Sequence, residues 1–279
     1  MANLQKSEQI KNAINLYCTT KQISKNELAT KSGVSGATLS KIENGKWDDI
    51  DDKLWRKIEG YITDPLNGKI FSTGDFNSVQ KACKTAQKDR LMIGMLADTG
   101  VGKTTALTVF SMQKNVFYVA YAKTMAPKHF FATLLKEMGI AFEGNIYQMV
   151  NKISEELNVL SNPLLIIDEA GKLSHTMIMY LHELRNNTIK NCGIVLAGMP
   201  YFKSNLVKFS NKQKEGIPEF YRRINVWQTL DGLSRAEINK ILDSNGITEP
   251  SVRAGMLNKK RFGDLQNEML LYQIENAEI

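Results

Sequence analysis

The chain has 279 residues, 43% of them hydrophobic and 23% charged, with 36 basic against 29 acidic side chains and a net charge of +7. That composition excludes disordered and fibrous classes, and the length suits two domains at about 150 residues each. No apolar run approaches the roughly 20 residues of a membrane span. Residues 1–11 lack a signal-peptide core, and Cys18, Cys83 and Cys192 lie far apart without CxxC spacing, so the expectation is a cytoplasmic protein with reduced thiols and no membrane partner.

Charge is unevenly spread: residues 1–47 carry a net +4, residues 48–64 a net −3 and residues beyond 80 a net +6. Ser24-Lys25-Asn26-Glu27 reads as a capping box that opens a helix ending near Gly33. Val34 anchors the following turn, Ser35 caps a second helix, and Leu39 and Ile42 supply its buried face. The string Leu28-Ala29-x3-Gly33-Val34-Ser35-x2-Thr38-Leu39-Ser40-x-Ile42-Glu43-x-Gly45 resembles the Cro/repressor-like helix-turn-helix family over roughly residues 7–62. The resemblance implies that the second helix meets duplex DNA, with Ser35, Gly36, Ala37, Thr38, Ser40 and Lys41 as contact candidates. Of these only Lys41 is charged and none is an Arg or Gln placed for bidentate base readout, so phosphate-directed, largely sequence-nonspecific binding is expected. A helical bundle for protein contact is the alternative. Trp47, Trp55, Ile58 and Tyr61 suit apolar packing of a following helix, and Thr63-Asp64-Pro65-Leu66-Asn67-Gly68 has the turn chemistry of a linker.

Beyond residue 80 short apolar runs at 91–96, 116–121, 163–167 and 193–197 alternate with helical patterns such as Phe130, Phe131, Leu134, Leu135 and Met138. Strand–helix alternation predicts an α/β fold with a parallel sheet. A further strand is expected over 226–230, and helices alone from Leu233 onward. Domain limits follow: 1–63, a linker and start of the second domain at 64–80, an α/β core at 81–231 and a helical lid at 232–279.

The first strand runs into Ala97-Asp98-Thr99-Gly100-Val101-Gly102-Lys103-Thr104-Thr105, a P-loop with Ala in the first glycine position, followed by a helix over 103–110. Gly100 and Gly102 let backbone N–H groups turn toward one anion, Lys103 reaches the β and γ phosphates, and the Thr104 hydroxyl is a candidate Mg²⁺ ligand. Leu164-Leu165-Ile166-Ile167-Asp168-Glu169 ends a strand in two carboxylates, the Walker B arrangement. Asp168 is the second candidate for Mg²⁺, and Glu169 is the candidate for orienting the attacking water. ATP and Mg²⁺ are the expected cofactors.

The paired motifs, the strand after Walker B and the helical tail resemble an AAA+ ATPase. The family's polar sensor after that strand falls here at Gly198-Met199, and the second-sensor pattern Gly-x-Leu-Arg reads Gly263-Asp264-Leu265-Gln266, with Arg261 nearby. By resemblance, Arg223, and Arg222 second, carry the arginine finger that completes a neighbouring subunit's site. An AAA+ domain behind a helix-turn-helix module is similar to the phage Mu B-like transposition target-selection ATPases. That resemblance implies ATP-dependent filaments on duplex DNA, delivery of target DNA to a transposase, and backbone contacts from Lys123, Thr124 and Lys128 in the loop after the second strand. His175 and His182 read as ordinary helix-surface residues. A replication initiator or helicase loader, and a transcriptional regulator controlled by its ATPase, are the competing readings.

Overall fold

A computed structural model describes residues 2–21, 23–47, 50–51, 54–55, 57–58 and 70–277; Tyr61 and the expected linker at 63–68 lie outside them. The chain begins with α1 (Ala2–Lys21), α2 (Lys25–Ser32) and α3 (Gly36–Glu43). Ser24 caps α2 through the Glu27 N–H, Gly33 closes it at φ +69°, and Ser35 caps α3 through the Thr38 N–H. Ile14, Leu28, Leu39, Ile42 and Ile58 form the buried centre of this module, with Trp55 packed against it.

The second part starts with α4 (Gly74–Asp89), capped by Thr73, so its first layer begins ahead of the expected core limit at 81. The order continues β1 (Met92–Leu96), α5 (Lys103–Ser111), β2 (Val116–Ala120), α6 (Pro127–Glu137) and α7 (Ile146–Val159). Then come β3 (Leu164–Asp168), a 3₁₀ turn (Ala170–Lys172), α8 (His175–Thr188), β4 (Gly193–Gly198), α9 (Tyr201–Asn211), α10 (Ile217–Arg223) and β5 (Val226–Thr229). The five strands form one parallel sheet in the order β2-β3-β4-β1-β5, so β1 lies inside it and all strands point their C-terminal ends to one edge. The observed strands match the expected runs to within a residue or two.

Side chains alternate between the faces. Val116, Leu164, Ile166, Ile93 and Met95 join α4 and α5 in one layer. Phe117, Val119, Leu165, Ile167 and Leu196 face α6, α7, α8, α9 and α10 in the other. Both faces are covered, which is why β1, β3 and β4 read as uninterrupted apolar runs. The tail forms α11 (Arg235–Ser244), α12 (Pro250–Met256) and α13 (Phe262–Ala277) around Leu233, Ile238, Ile241, Leu242 and Leu265, with Phe71 packed against them.

The N-terminal module touches the sheet domain. Lys31, itself buried, places its ammonium 5.7 Å from the ring centroid of Phe117 and 3.6 Å from Glu27. A Cβ at Gly139, beyond the end of α6, would meet the Glu27 Cγ at 2.4 Å.

β4 packs closely on α4, where a Cβ on Gly193 would fall 2.1 Å from the Ala86 carbonyl oxygen. Backbone cannot yield as a side chain can. Gly193→Ala should therefore cost about 1–3 kcal/mol and lower the melting temperature by roughly 2–4 °C per kcal/mol, which thermal unfolding followed by circular dichroism will read.

Candidate nucleotide-binding site

The central strand β1 opens the site. At its end the Ala97 N–H donates to the Gly198 carbonyl (3.0 Å), seating the loop on the end of β4. Gly100 and Gly102 then adopt φ of +82° and +93°, left-handed values that glycine reaches without steric cost. Gly102 is also the N-cap of α5 and brings no side-chain acceptor, whereas Ser24, Ser35, Thr73, Ser174 and Ser234 cap their helices with hydroxyls. The first N–H groups of α5 are thus left for another acceptor, and an anion is what that terminus favours.

Opposite them Asp168 ends β3 at 1% exposure. Its Oδ2 accepts from the Thr104 hydroxyl (2.7 Å) and from the Tyr118 hydroxyl (3.1 Å). Its Oδ1 accepts from the Glu169 N–H (2.8 Å) and lies 3.4 Å from the Lys103 ammonium. The structure therefore brings Lys103, Thr104 and Asp168 into one cluster. Tyr118 joins it without having been expected. Burial, followed by the charge of Asp168, pushes the Tyr118 phenol well above its ordinary range, so it remains a donor.

Glu169 follows in the left-handed region at φ +58°, which costs a non-glycine residue of order 1–3 kcal/mol. Its Oε2 is paired with the Lys172 ammonium at 3.1 Å. The remaining loop residues have separate partners. Asp98 lies 3.8 Å from the Arg261 guanidinium, and the Thr99 hydroxyl is directed at the Met199 sulfur (3.7 Å). Val101 and Thr105 line a cavity of about 470 Å³ beside the loop, together with Ile70, Phe71, Phe76, Leu230, Phe262 and Gln266. A pocket that size, mostly apolar with a few polar groups, suits a nucleoside.

The lid is tied to this site. The Gly263 N–H donates to the Gly100 carbonyl (2.8 Å). Asp75, in the first turn of α4, accepts from the Asp231 and Gly232 N–H groups (3.1 and 2.7 Å), and Glu237 accepts from the Gly74 N–H. Burial alone would raise the Glu237 carboxyl, but hydrogen bonds from Ser234 and Gly74 and the charge of Lys240 outweigh it and hold the carboxyl below its usual value.

Arg222 and Arg223 close α10, and neither takes part in the hydrogen bonds or ion pairs of Lys103, Asp168 or Glu169. Arg223 instead acts on His182 and Arg185. His175 bonds the Glu215 carbonyl (2.8 Å) and His182 meets Asn186 and the Phe220 ring. Lys123 and Thr124 are exposed in the turn after β2, which Tyr121 pins through its hydroxyl on the Met125 carbonyl, whereas Lys128, expected in the same loop, is exposed in the first turn of α6.

In the N-terminal module Gly36, Ala37, Ser40 and Lys41 are exposed, but Thr38 is not. Its side chain is 8% exposed and shares a 2.9 Å hydrogen bond with the Ser35 hydroxyl. The expectation that Thr38 faces DNA is corrected: it sits on the inward side of α3 beside Leu39 and Ile42, and Ser35 is occupied as the cap.

Hard oxygen donors suit Mg²⁺, which binds through one or two protein oxygens and the phosphates of its nucleotide. Thr104 and Asp168 provide them. Among the described residues no group of three or more His, Cys, Asp or Glu side chains forms a metal cage.

Residues 86–206 match the family described as AAA domain. The ORC2 protein of Aeropyrum pernix, solved in ADPNP and ADP complexes, is similar at 14% identity with a TM-score of 0.55. The match covers 76% of this chain and 66% of that one, so this chain spans just under two thirds of its neighbour's length. The RuvB Holliday junction branch migration motor of Thermotoga maritima aligns at 16% identity with a TM-score of 0.42, over 73% of this chain and 61% of its own. No curated protein matches the sequence. The fold is that of an AAA+ P-loop NTPase: a parallel five-stranded sheet between helical layers, with a helical lid. Among the described residues no helix is long and apolar enough to cross a membrane.

Burial, and next the Arg223 charge, hold the His182 imidazole below its ordinary value against the opposing charge of Glu219. Arg223→Ala should move that titration upward, as followed by the ring-proton shift in NMR. An unmoved titration would take Arg223 away from this face of α8.

Proposed function

We propose that the chain is an ATP-dependent, DNA-binding ATPase of the transposition target-selection kind. In this reading it is a cytoplasmic protein whose subunits assemble on duplex DNA as filaments, hold target DNA with little sequence preference and hand it to a transposase. The observation that carries the reading is the convergence of Lys103 and Thr104 on Asp168, with Glu169 next in the chain.

ATP places its phosphates over the Gly100–Gly102 turn and the N-terminus of α5, and its nucleoside in the cavity between α4, the phosphate loop and the lid. Lys103 leaves Asp168 for the phosphates. Thr104 and Asp168 would hold Mg²⁺, which would supply neutralisation of phosphate charge. Glu169 orients the attacking water once it parts from Lys172. Arg223, or Arg222, adds positive charge to a neighbouring subunit's γ phosphate, so full activity requires assembly. Three features favour slow hydrolysis by the lone subunit: Glu169 is paired, Met199 stands at the first sensor, and Gln266 replaces the second sensor's arginine.

Duplex DNA is met by Lys41 and the exposed face of α3 and by Lys123, Thr124 and Lys128. The latter loop leaves the same edge of the parallel sheet as the phosphate loop, which supports coupling between nucleotide state and DNA. Few base-reading side chains and several lysines suit a phosphate-directed contact that weakens as salt rises.

Electron microscopy on random-sequence duplex DNA tests the reading. Filaments should form with ATP and Mg²⁺ and not without. Lys103→Ala should abolish them together with ATP binding, and Glu169→Gln should preserve them while hydrolysis stops. Closed rings, or particles bound at one sequence only, would replace this reading with the loader or the regulator. Lys172→Met should raise unstimulated phosphate release by up to ~5-fold, the scale of a solvent-exposed ion pair.

A further inference from the structure

We infer that Tyr118 is a positioning residue for the metal–nucleotide complex: its hydroxyl holds the Asp168 carboxylate in place when the other side chains on that carboxylate leave it. This deepens the nucleotide reading and rests on it.

β2 and β3 pair in parallel with Ala120 opposite Asp168 and Tyr118 opposite Ile166. Tyr118 and Asp168 are thus two steps apart on one face, a diagonal that a side chain the length of tyrosine spans and a shorter one does not. Tyr118 packs against the apolar layer beneath α5 and reaches Asp168 Oδ2 at 3.1 Å.

Four groups surround the Asp168 carboxylate: the Thr104 hydroxyl, the Lys103 ammonium, the Glu169 N–H and the Tyr118 hydroxyl. A bound nucleotide takes two of them, because Lys103 turns to the phosphates and Thr104 to the metal. The Glu169 N–H remains on Oδ1 and the Tyr118 hydroxyl on Oδ2. Without the phenol, Oδ2 loses its lasting protein donor and the carboxylate is free to rotate about its own bond. Partners of this outer kind fix ligand orientation, and removing one commonly weakens a metal site 10–100-fold.

Tyr118→Phe keeps the ring and removes only the hydroxyl. In the full chain, affinity for a non-hydrolysable ATP analogue should be measured by calorimetry with Mg²⁺ and again with EDTA. The variant should match the wild type in EDTA and lose about tenfold of the strengthening that Mg²⁺ confers. The Mg²⁺ concentration giving half-maximal hydrolysis should rise by a similar factor, and the melting temperature of the free protein should stay close to the wild-type value. Equal weakening with and without Mg²⁺, or no change in either, overturns the assignment. A wild type that gains nothing from Mg²⁺ overturns the nucleotide reading itself and the role of Tyr118 with it, a result distinguishable from failure of the variant alone.

Discussion

A carboxylate at 1% exposure is the constraint around which this site is organised. Taking such a charge out of water is costly unless every oxygen is compensated, and stripping a partner from a buried charge pair costs roughly 3–5 kcal/mol. Asp168 is compensated from α5 by Lys103 and Thr104, from β2 by Tyr118 and from its own backbone by the Glu169 N–H. These contacts tie α5 and β2 to the end of β3. The same charge that demands these partners is the one a cation would be drawn to.

Much of this was legible in the amino-acid order because the signals are local. The phosphate loop is contiguous, its glycines stand where the backbone needs left-handed values, and the apolar runs are complete because both faces of the sheet are covered. What escaped was non-local. Tyr118 reads as one more residue of a strand until the register of β2 on β3 is known. The clasps from Asp75 and Glu237 span more than 150 residues of chain. Thr38 differs for another reason: the helix-turn-helix resemblance supplies a string of candidates, whereas the Thr38 hydroxyl meets the Ser35 hydroxyl at the cap of α3 and is buried.

The contact between the N-terminal module and the sheet domain is small and specific. Lys31 lays its aliphatic stem and charge over Phe117 on an edge strand, while Glu27 occupies the space that Gly139 leaves open. A buried ammonium over an aromatic ring is worth more than an exposed one, since less water competes for it. On α3, Gly36, Ala37 and Ser40 are exposed.

The strand order also governs when the chain can complete itself. β1, which carries the phosphate loop, pairs with β4 on one side and β5 on the other, and the Met92 N–H is satisfied by Asn225, 133 positions later. During synthesis at about 5–20 residues per second, the loop residues emerge long before the strands that flatten and hold them. A nascent chain stopped short of β5 has a phosphate-loop sequence but an unpaired edge on β1. The backbone of the loop-bearing strand is therefore completed only by residues more than a hundred positions downstream of it.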